Sequence, residues 1–335
     1  MRFGHSETCL AHDTGPRHPE RPERIRAVRE GLKRKHGVSY VESDPASVEL
    51  LESVHDPDYV ADVESFCADG GGDWDPDTVA CPETYAAAAQ SAGLAAWAGR
   101  VALDDSGGRE TPFSLGRPPG HHAVADDAMG FCFFNNAVVA ARAAMDAGAE
   151  RVAIFDWDVH HGNGTQDLTY ESADVFYASI HEDGLYPGTG AVSETGAGAG
   201  AGTTLNVPVG PGAGDADYRH AVREAVVPAF ERFDPDLVVV SAGFDAHRQD
   251  PISRTGVTTD GYALMTAAVR ELAERVGAGI AFVLEGGYQL DALADGVGIV
   301  HETFDGRPPI EPDDEPGDDT RETVRAVREA LGLAE

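Results

Sequence analysis

The sequence predicts one large α/β domain built on a parallel β-sheet with helices on both faces. Three observations predict it. Short, β-branched apolar runs alternate with longer helical patterns. The 335 residues are 42% hydrophobic, enough to bury one large core. The apolar runs end in polar and titratable residues, as they do where loops converge beyond the carboxyl edge of an open parallel sheet.

The elements follow in order. "ETYAAAAQSAGLAAWAGRVAL" (83–103) is an Ala-rich helix, suited to close packing and carrying no chemistry. "TPFSL" (111–115) is the first candidate strand, followed by the helix "FNNAVVAARAAMDAGA" (134–149). "RVAIFDW" (151–157) and "DVFYASI" (174–180) are strands, and "DYRHAVREAVVPAFERF" (217–233) is a helix. The strand "DLVVVSA" (236–242), the helix "DGYALMTAAVRELAERV" (260–276) and the strand "GIAFVLE" (279–285) complete the alternation. "GAGAGAG" (196–202) follows polar "SET" instead of a strand and leads into no helix, so it is expected to be a flexible surface loop and not a phosphate cradle. Acidic "PPIEPDDEPGDD" (308–319) reads as a linker to a last amphipathic helix, "TRETVRAVREALGL". Residues 1–305 therefore form the main unit, with 306–335 a linker and helix packed on it.

The formal net charge is −33 and the only lysines are Lys33 and Lys35. Direct nucleic-acid binding, which needs clustered cations to displace counterions, is disfavoured and not expected. The charge fits a solvated acidic coat in a salty cytoplasm, where a Debye length of about 3 Å at molar salt leaves little steering. No run approaches the roughly 20 apolar residues of a membrane span, and "MRFGHSETC" has neither a basic nor an apolar leader region, so a cytoplasmic protein is expected. Cys9, Cys67, Cys81 and Cys132 are scattered with no C-x-x-C pair and read as free thiols.

Four strand ends carry the chemistry. "TPFSL" runs into "GRPPGHH", "RVAIF" into "DWDVHHGNG", "DLVVVSAG" into "FDAH" and "GIAFVL" into "EGGYQL", which brings His121, His122, Asp156, Asp158, His160, Asp245 and Tyr288 to one edge. In extended chain, Asp156, Asp158 and His160 share one side, while Trp157, Val159 and His161 point elsewhere. Asp158 and His160 can then grip one ion, with Asp245 the obvious third ligand. Two carboxylates and one imidazole leave a divalent ion formally neutral with an open position, as a hydrolytic centre requires. Zinc is the first choice, and the oxygen-rich set also suits iron(II) or manganese. His161 reads as a packing residue behind the ligands, and His247 as a loop residue.

"HDTGPRHPERPERI", "GGGDWDPDT", "RPPGHHA", "GFCFFNNAV", "DWDVHHGNGTQ", "SIHEDGLYPGTG", "SAGFDAH" and "LEGGYQL" together resemble, in order, the motifs of the histone deacetylase and acetylpolyamine amidohydrolase family within the arginase/deacetylase superfamily. The resemblance covers roughly residues 8 to 300 and implies a single-domain three-layer α/β/α fold with an eight-stranded parallel sheet, residues 1–305 being the catalytic domain. It implies zinc on Asp158, His160 and Asp245. His122 is implied as the general base that later protonates the leaving amine, His121 as its electrostatic partner and Tyr288 as donor to the oxyanion. Asp156 beside His121 and Asn163 beside His122 would push the two imidazole pKa values apart. Asn163 departs from the Asp of class I deacetylases and places the chain nearer class II and the prokaryotic members.

By the same resemblance, Asp156, Asp158, His160, Ser179 and Ile180 form a structural potassium site. Phe131, Tyr186, Gly130, Ile252 and Gly287 shape the acyl-lysine tunnel, with Gly286 and Gly287 letting the Tyr288 loop approach closely. Arg24 matches the arginine of an acetate-exit channel, or else makes a salt bridge on the first helix. The expected activity is removal of acetyl groups from protein lysine side chains. An acetylpolyamine amidohydrolase is the alternative, followed by a non-catalytic acyl-lysine reader and an arginase-like two-manganese enzyme with Asp156 and His247 as spare ligands. Self-association into a homo-oligomer is left open.

Overall fold

In the computed structural model, residues 1–104 and 108–333 are described; 105–107, inside the expected catalytic domain, and 334–335, the end of the expected C-terminal segment, lie outside it. The strands are β1 (Arg2–Gly4), β2 (Ser39–Val41), β3 (Gly72–Asp73), β4 (Val79–Ala80), β5 (Pro112–Ser114), β6 (Val152–Asp156), β7 (Val175–Glu182), β8 (Thr204–Val209), β9 (Leu237–Ala242) and β10 (Gly279–Leu284). Eight of them form an all-parallel sheet in the order β2-β1-β5-β10-β9-β6-β7-β8, and β3 and β4 make a small antiparallel ribbon. All five strands read from apolar runs are present. β1 and β2 are too short to show a period, and β8, "TLNVPV", is interrupted by Asn206 and Pro208.

Alternation along each strand divides the core into two layers. Ala153, Phe155, Val238, Val240, Ile280 and Phe282 face helices Glu23–Leu32, Thr259–Val276 and Leu290–Phe304. Val152, Ile154, Leu237, Val239, Ala281 and Val283 face Thr84–Asp104 and Asn136–Asp146, where alanines let the helices approach closely. The last helix, Asp318–Leu331, buries Val324, Val327 and Leu331 in the first layer, on the side of the edge strand β8.

Two sequence readings are corrected. The helix expected over 217–233 is interrupted by a π-helical segment, Val222–Val226, between Asp215–Ala221 and Val227–Phe233. Pro228 has no N–H and its ring would clash with the carbonyl four residues back, so the ladder there widens by one residue. The glycine-rich loop is tied down: Gly202 donates to Thr195 O at 2.7 Å, Ala197 donates to Tyr170 O at 2.9 Å, and Gly200 is buried in a 3-10 turn.

Candidate active site

The central strands β5, β10, β9 and β6 lie side by side, so the loops at their carboxyl ends meet. Beyond β6 the chain leaves the sheet through two successive side-chain turns, in which Asp158 N–H donates to Asp156 Oδ1 at 3.1 Å and His160 N–H to Asp158 Oδ1 at 2.9 Å. These bonds hold the expected alternation after the strand has ended: Trp157 and Val159 enter the apolar core, and Asp158 and His160 converge. Asp245, on the loop after β9, completes the cluster. One ligand atom from each of Asp158, His160 and Asp245 lies within 4.8 Å of the others, and all three residues are buried. His160 Nδ1 stands 3.0 Å from Asp158 Oδ1 and 3.2 Å from Asp245 Oδ2.

These residues fit a divalent cation. Asp245 Oδ1 accepts from Val159 N–H at 2.9 Å and Asp158 Oδ2 from Gly286 N–H at 2.8 Å, while buried Asp245 Oδ2 accepts no well-aligned hydrogen bond and has only the edge of His160 nearby, Nδ1 at 3.2 Å. Two buried carboxylates sharing one imidazole are costly and call for a further positive charge. Burial and the adjacent Asp158 carboxylate push Asp245 up to about 6, a repulsion that a dication would relieve. Gly243 and Gly286 form the wall: a Cβ on Gly286 would come within 2.6 Å of Asp158 Oδ2, and one on Gly243 within 2.6 Å of Asp158 Cα.

Two imidazoles flank the cluster in different electrostatic states. His121 Nδ1 is 3.0 Å from Asp156 Oδ2, and His122 Nδ1 is 2.8 Å from Asn163 Oδ1. Burial disfavours charge on both rings. For His121 the carboxylates of Asp158 and Asp156 overcome that, raising it to about 10. For His122, burial and the positive charge of His121 and His160 hold the ring well below its ordinary range, and the neutral Asn163 amide offers little opposition. His122 thus donates its Nδ1 proton to Asn163 and keeps a lone pair on Nε2.

Tyr288 follows Gly287, which adopts φ +118°, on the loop after β10. Arg24 stacks 5.0 Å over the Tyr288 ring, and Phe131 meets it edge-on at 5.9 Å. Burial pushes the Tyr288 phenol well above its ordinary value, so the hydroxyl remains a donor. Gly130 is required by close approach: at φ +54°, a Cβ would stand 2.8 Å from His122 Cγ and 3.0 Å from Tyr186 Cε1. Tyr186, 37% exposed, packs edge-on to His122 at 5.1 Å. Ile252 is half-buried, with its N–H donating to Asp250 Oδ1 at 3.1 Å.

Ser179 lies opposite Asp156 in the β6–β7 ladder, with its hydroxyl 2.9 Å from His181 Nδ1, and the Ile180 side chain enters the core. His161 bonds Thr189 and Gln166, and His247 lies on a bridge to Val257, so neither joins the ligand cluster. Arg24 is buried, pairs with Glu20 at 3.2 Å and donates to the carbonyls of Gly287, at 2.7 Å, and Glu285.

Sequence reasoning missed three carboxylates. Glu285 accepts from the N–H groups of Gly120, at 2.7 Å, and His121, at 3.2 Å, fixing the turn that presents the two histidines. Glu20 receives a bidentate pair from Arg117, at 2.9 and 2.6 Å, in a fully buried site. Asp250 accepts from Tyr288 N–H. The available signals were "LE" at a strand end for Glu285 and a charged "HPERPERI" with no apolar period for Glu20.

The histone deacetylase domain family matches residues 18–304. The chain belongs to that family. It is 39% identical to histone deacetylase 10, chloroplastic, of Oryza sativa subsp. japonica, over all of this chain and 81% of the rice protein. It is 41% identical to the histone deacetylase-like amidohydrolase of Pseudomonas aeruginosa, over 85% of this chain and 81% of that protein. A probable deacetylase of Methanothermobacter thermautotrophicus is 41% identical over 82% of each chain. The crystal structure of the HDA15 HD domain superposes with a TM-score of 0.89 at 37% identity, covering 98% of this chain and 93% of that one. The fold is therefore the arginase/deacetylase α/β fold, and the chain is a histone deacetylase-family hydrolase with a candidate divalent-metal site. Among the described residues no helix is long and apolar enough to cross a membrane.

Proposed function

We propose that this histone deacetylase-family chain is a zinc-dependent amidohydrolase that removes acetyl groups from protein lysine side chains. One observation carries the reading: an imidazole paired with a carboxylate, His121, and an imidazole paired with a neutral amide, His122, stand beside a buried Asp-His-Asp cluster in which two carboxylates share one imidazole. A cation on Asp158, His160 and Asp245 supplies polarisation of the acyl carbonyl and acidification of water. His122, with its Nε2 lone pair, takes the proton of the attacking water. His121, charged against Asp156, stabilises the negative charge that develops, and Tyr288 donates its hydroxyl to the acyl oxygen as it becomes an oxyanion. His122 then returns its proton to the departing amine, leaving acetate and free lysine. Gly130 and Gly287 let the walls close on the acyl chain, Phe131 and Tyr186 flank it, and Ile252 contributes from the rim. The acetate-channel role of Arg24 belongs to the proposal by family resemblance, its guanidinium pairing with Glu20 and the loop carbonyls of Gly287 and Glu285.

The names of the rice and Pseudomonas relatives, a histone deacetylase and a histone deacetylase-like amidohydrolase, support an acetylated protein as the substrate. A structural potassium ion on Asp156, Asp158, His160, Ser179 and Ile180, and work in a salty cytoplasm, belong to the same proposal. The test offers zinc-loaded protein an acetyl-lysine peptide and N-acetylputrescine in parallel at high salt. Higher kcat/KM on the peptide is expected. Preference for the polyamine overturns the substrate, and cleavage of neither with cation bound overturns hydrolysis.

A further inference from the structure

Asp250 lies on the same loop as Asp245, yet its carboxylate serves the neighbouring loop. Oδ2 accepts from Tyr288 N–H at 2.6 Å and Gln289 N–H at 3.0 Å, and Oδ1 accepts from Ile252 N–H at 3.1 Å. The residue is 6% exposed, so these bonds compete with little water. Hydrogen bonds to an ionised acceptor are roughly twice as strong as neutral ones. A single carboxylate therefore fastens the loop carrying a metal ligand to the loop carrying the phenol.

The surroundings show what this fastening controls. Gly286 is fixed at both backbone groups, its N–H on Asp158 Oδ2 at 2.8 Å and its carbonyl on Phe244 N–H at 2.9 Å. Gln289 caps the helix Leu290–Phe304 by accepting from Ala292 N–H. Between these fixed points stand Gly287, at φ +118°, and Tyr288. A glycine there bends freely. Arg24 restrains the Gly287 carbonyl and the Tyr288 ring, and the Tyr288 amide is held by Asp250.

We propose that Asp250 is a positioning residue that sets the place of the Tyr288 hydroxyl relative to the Asp158, His160 and Asp245 cluster. The inference rests on the reading of Tyr288 as oxyanion donor. Such a donor acts only when it lies about 2.7–3.1 Å from where the oxyanion will form. A loosened Tyr288 loop forfeits a bond that strengthens in the transition state and leaves ground-state binding intact.

The test compares Tyr288→Phe, Asp250→Ala, their double variant and Asp250→Asn, each zinc-loaded and assayed on an acetyl-lysine peptide. Tyr288→Phe is expected to lower kcat about 100- to 1000-fold, the range for losing one oxyanion donor. Asp250→Ala is expected to lower kcat about 10- to 100-fold with KM within about twofold, and zinc affinity should be unchanged. In the Asp250→Ala background, Tyr288→Phe should cost only about tenfold, because most of the donor's contribution is already lost. Asp250→Asn keeps a carbonyl oxygen for the Tyr288 and Gln289 amides and should stay within about fivefold of the parent. If Asp250→Ala fails to fold, Asp250→Ser, whose hydroxyl is too short to bridge the loops, takes its place with the same expected loss. Undiminished kcat on losing Asp250, or fully multiplicative losses in the double variant, overturns the positioning role while Tyr288 stands. Undiminished kcat in Tyr288→Phe overturns both.

Discussion

Gly286→Ala should weaken cation binding severely without disturbing the fold. Gly286 has no left-handed φ, so the substitution brings no backbone strain, only a methyl group pointed at the ligands. That methyl would lie closest to Asp245 Oδ2, with Asp158 Oδ2 at 2.6 Å and Asp245 Cγ at 2.8 Å. The backbone cannot retreat, because its N–H and carbonyl are both bonded. Relief requires Asp158 Oδ2 to move by about 0.6 Å and Asp245 Oδ2 by more, at least some three times the roughly 0.2 Å within which metal–ligand distances are held. Zinc affinity should fall on the order of 100-fold or more, since even outer-shell disturbances cost 10- to 100-fold. Calorimetric titration of chelator-stripped protein measures this directly. Thermal denaturation checks it: zinc at about 100 times the parent Kd should stabilise the parent by about 2.7 kcal/mol and the variant by a small fraction of that. Parental affinity and parental zinc stabilisation in Gly286→Ala would refute the placement of the cation between these two carboxylates.

Gly130→Ala should leave zinc affinity intact and lower kcat at least tenfold, because its methyl would stand 2.8 Å from His122 Cγ and displace the base; kinetics beside a zinc titration separates the two. Glu20→Gln leaves Arg117 and Arg24 buried against a neutral partner and should cost about 3–5 kcal/mol in urea denaturation. Burial alone would raise the Glu20 carboxyl and Arg117 reverses this, holding it below its ordinary value, so the parent's advantage is full at neutral pH and shrinks as pH falls through the acid range. His55 donates from Nδ1 to Val124 O at 2.8 Å and accepts Asn135 N–H on Nε2 at 2.9 Å, so only the neutral ring fits. Burial lowers it to about 4; as pH falls from 6.5 to 4 the unfolded chain takes up a proton that the folded chain refuses, and stability should drop by about 3 kcal/mol, a loss that His55→Gln removes from denaturation curves.

What was legible in the sequence is what depends on local order. The runs that became β6, β9 and β10 are continuous and β-branched, and Asp158 and His160 follow β6 at a spacing of two. Asp245 was legible because it closes a valine run. The two side-chain turns were not: the strand ends at Asp156, and hydrogen bonds from Asp156 and Asp158 carry the alternation onward. Glu285 and Asp250 act through backbone groups far along the chain, Gly120 and Tyr288, and a spacing pattern holds no trace of which amide a carboxylate will meet. Short β1 and β2 and the Pro-containing β8 needed the motif resemblance, since three residues show no period.

The most direct measurement is deacetylation of an acetyl-lysine peptide by chelator-stripped protein titrated with zinc. Activity should be absent at first, rise linearly and level off at one equivalent per chain, and Asp245→Ala should not respond. Full activity in the stripped protein, or a plateau reached only at two equivalents, would contradict a single cation held by Asp158, His160 and Asp245.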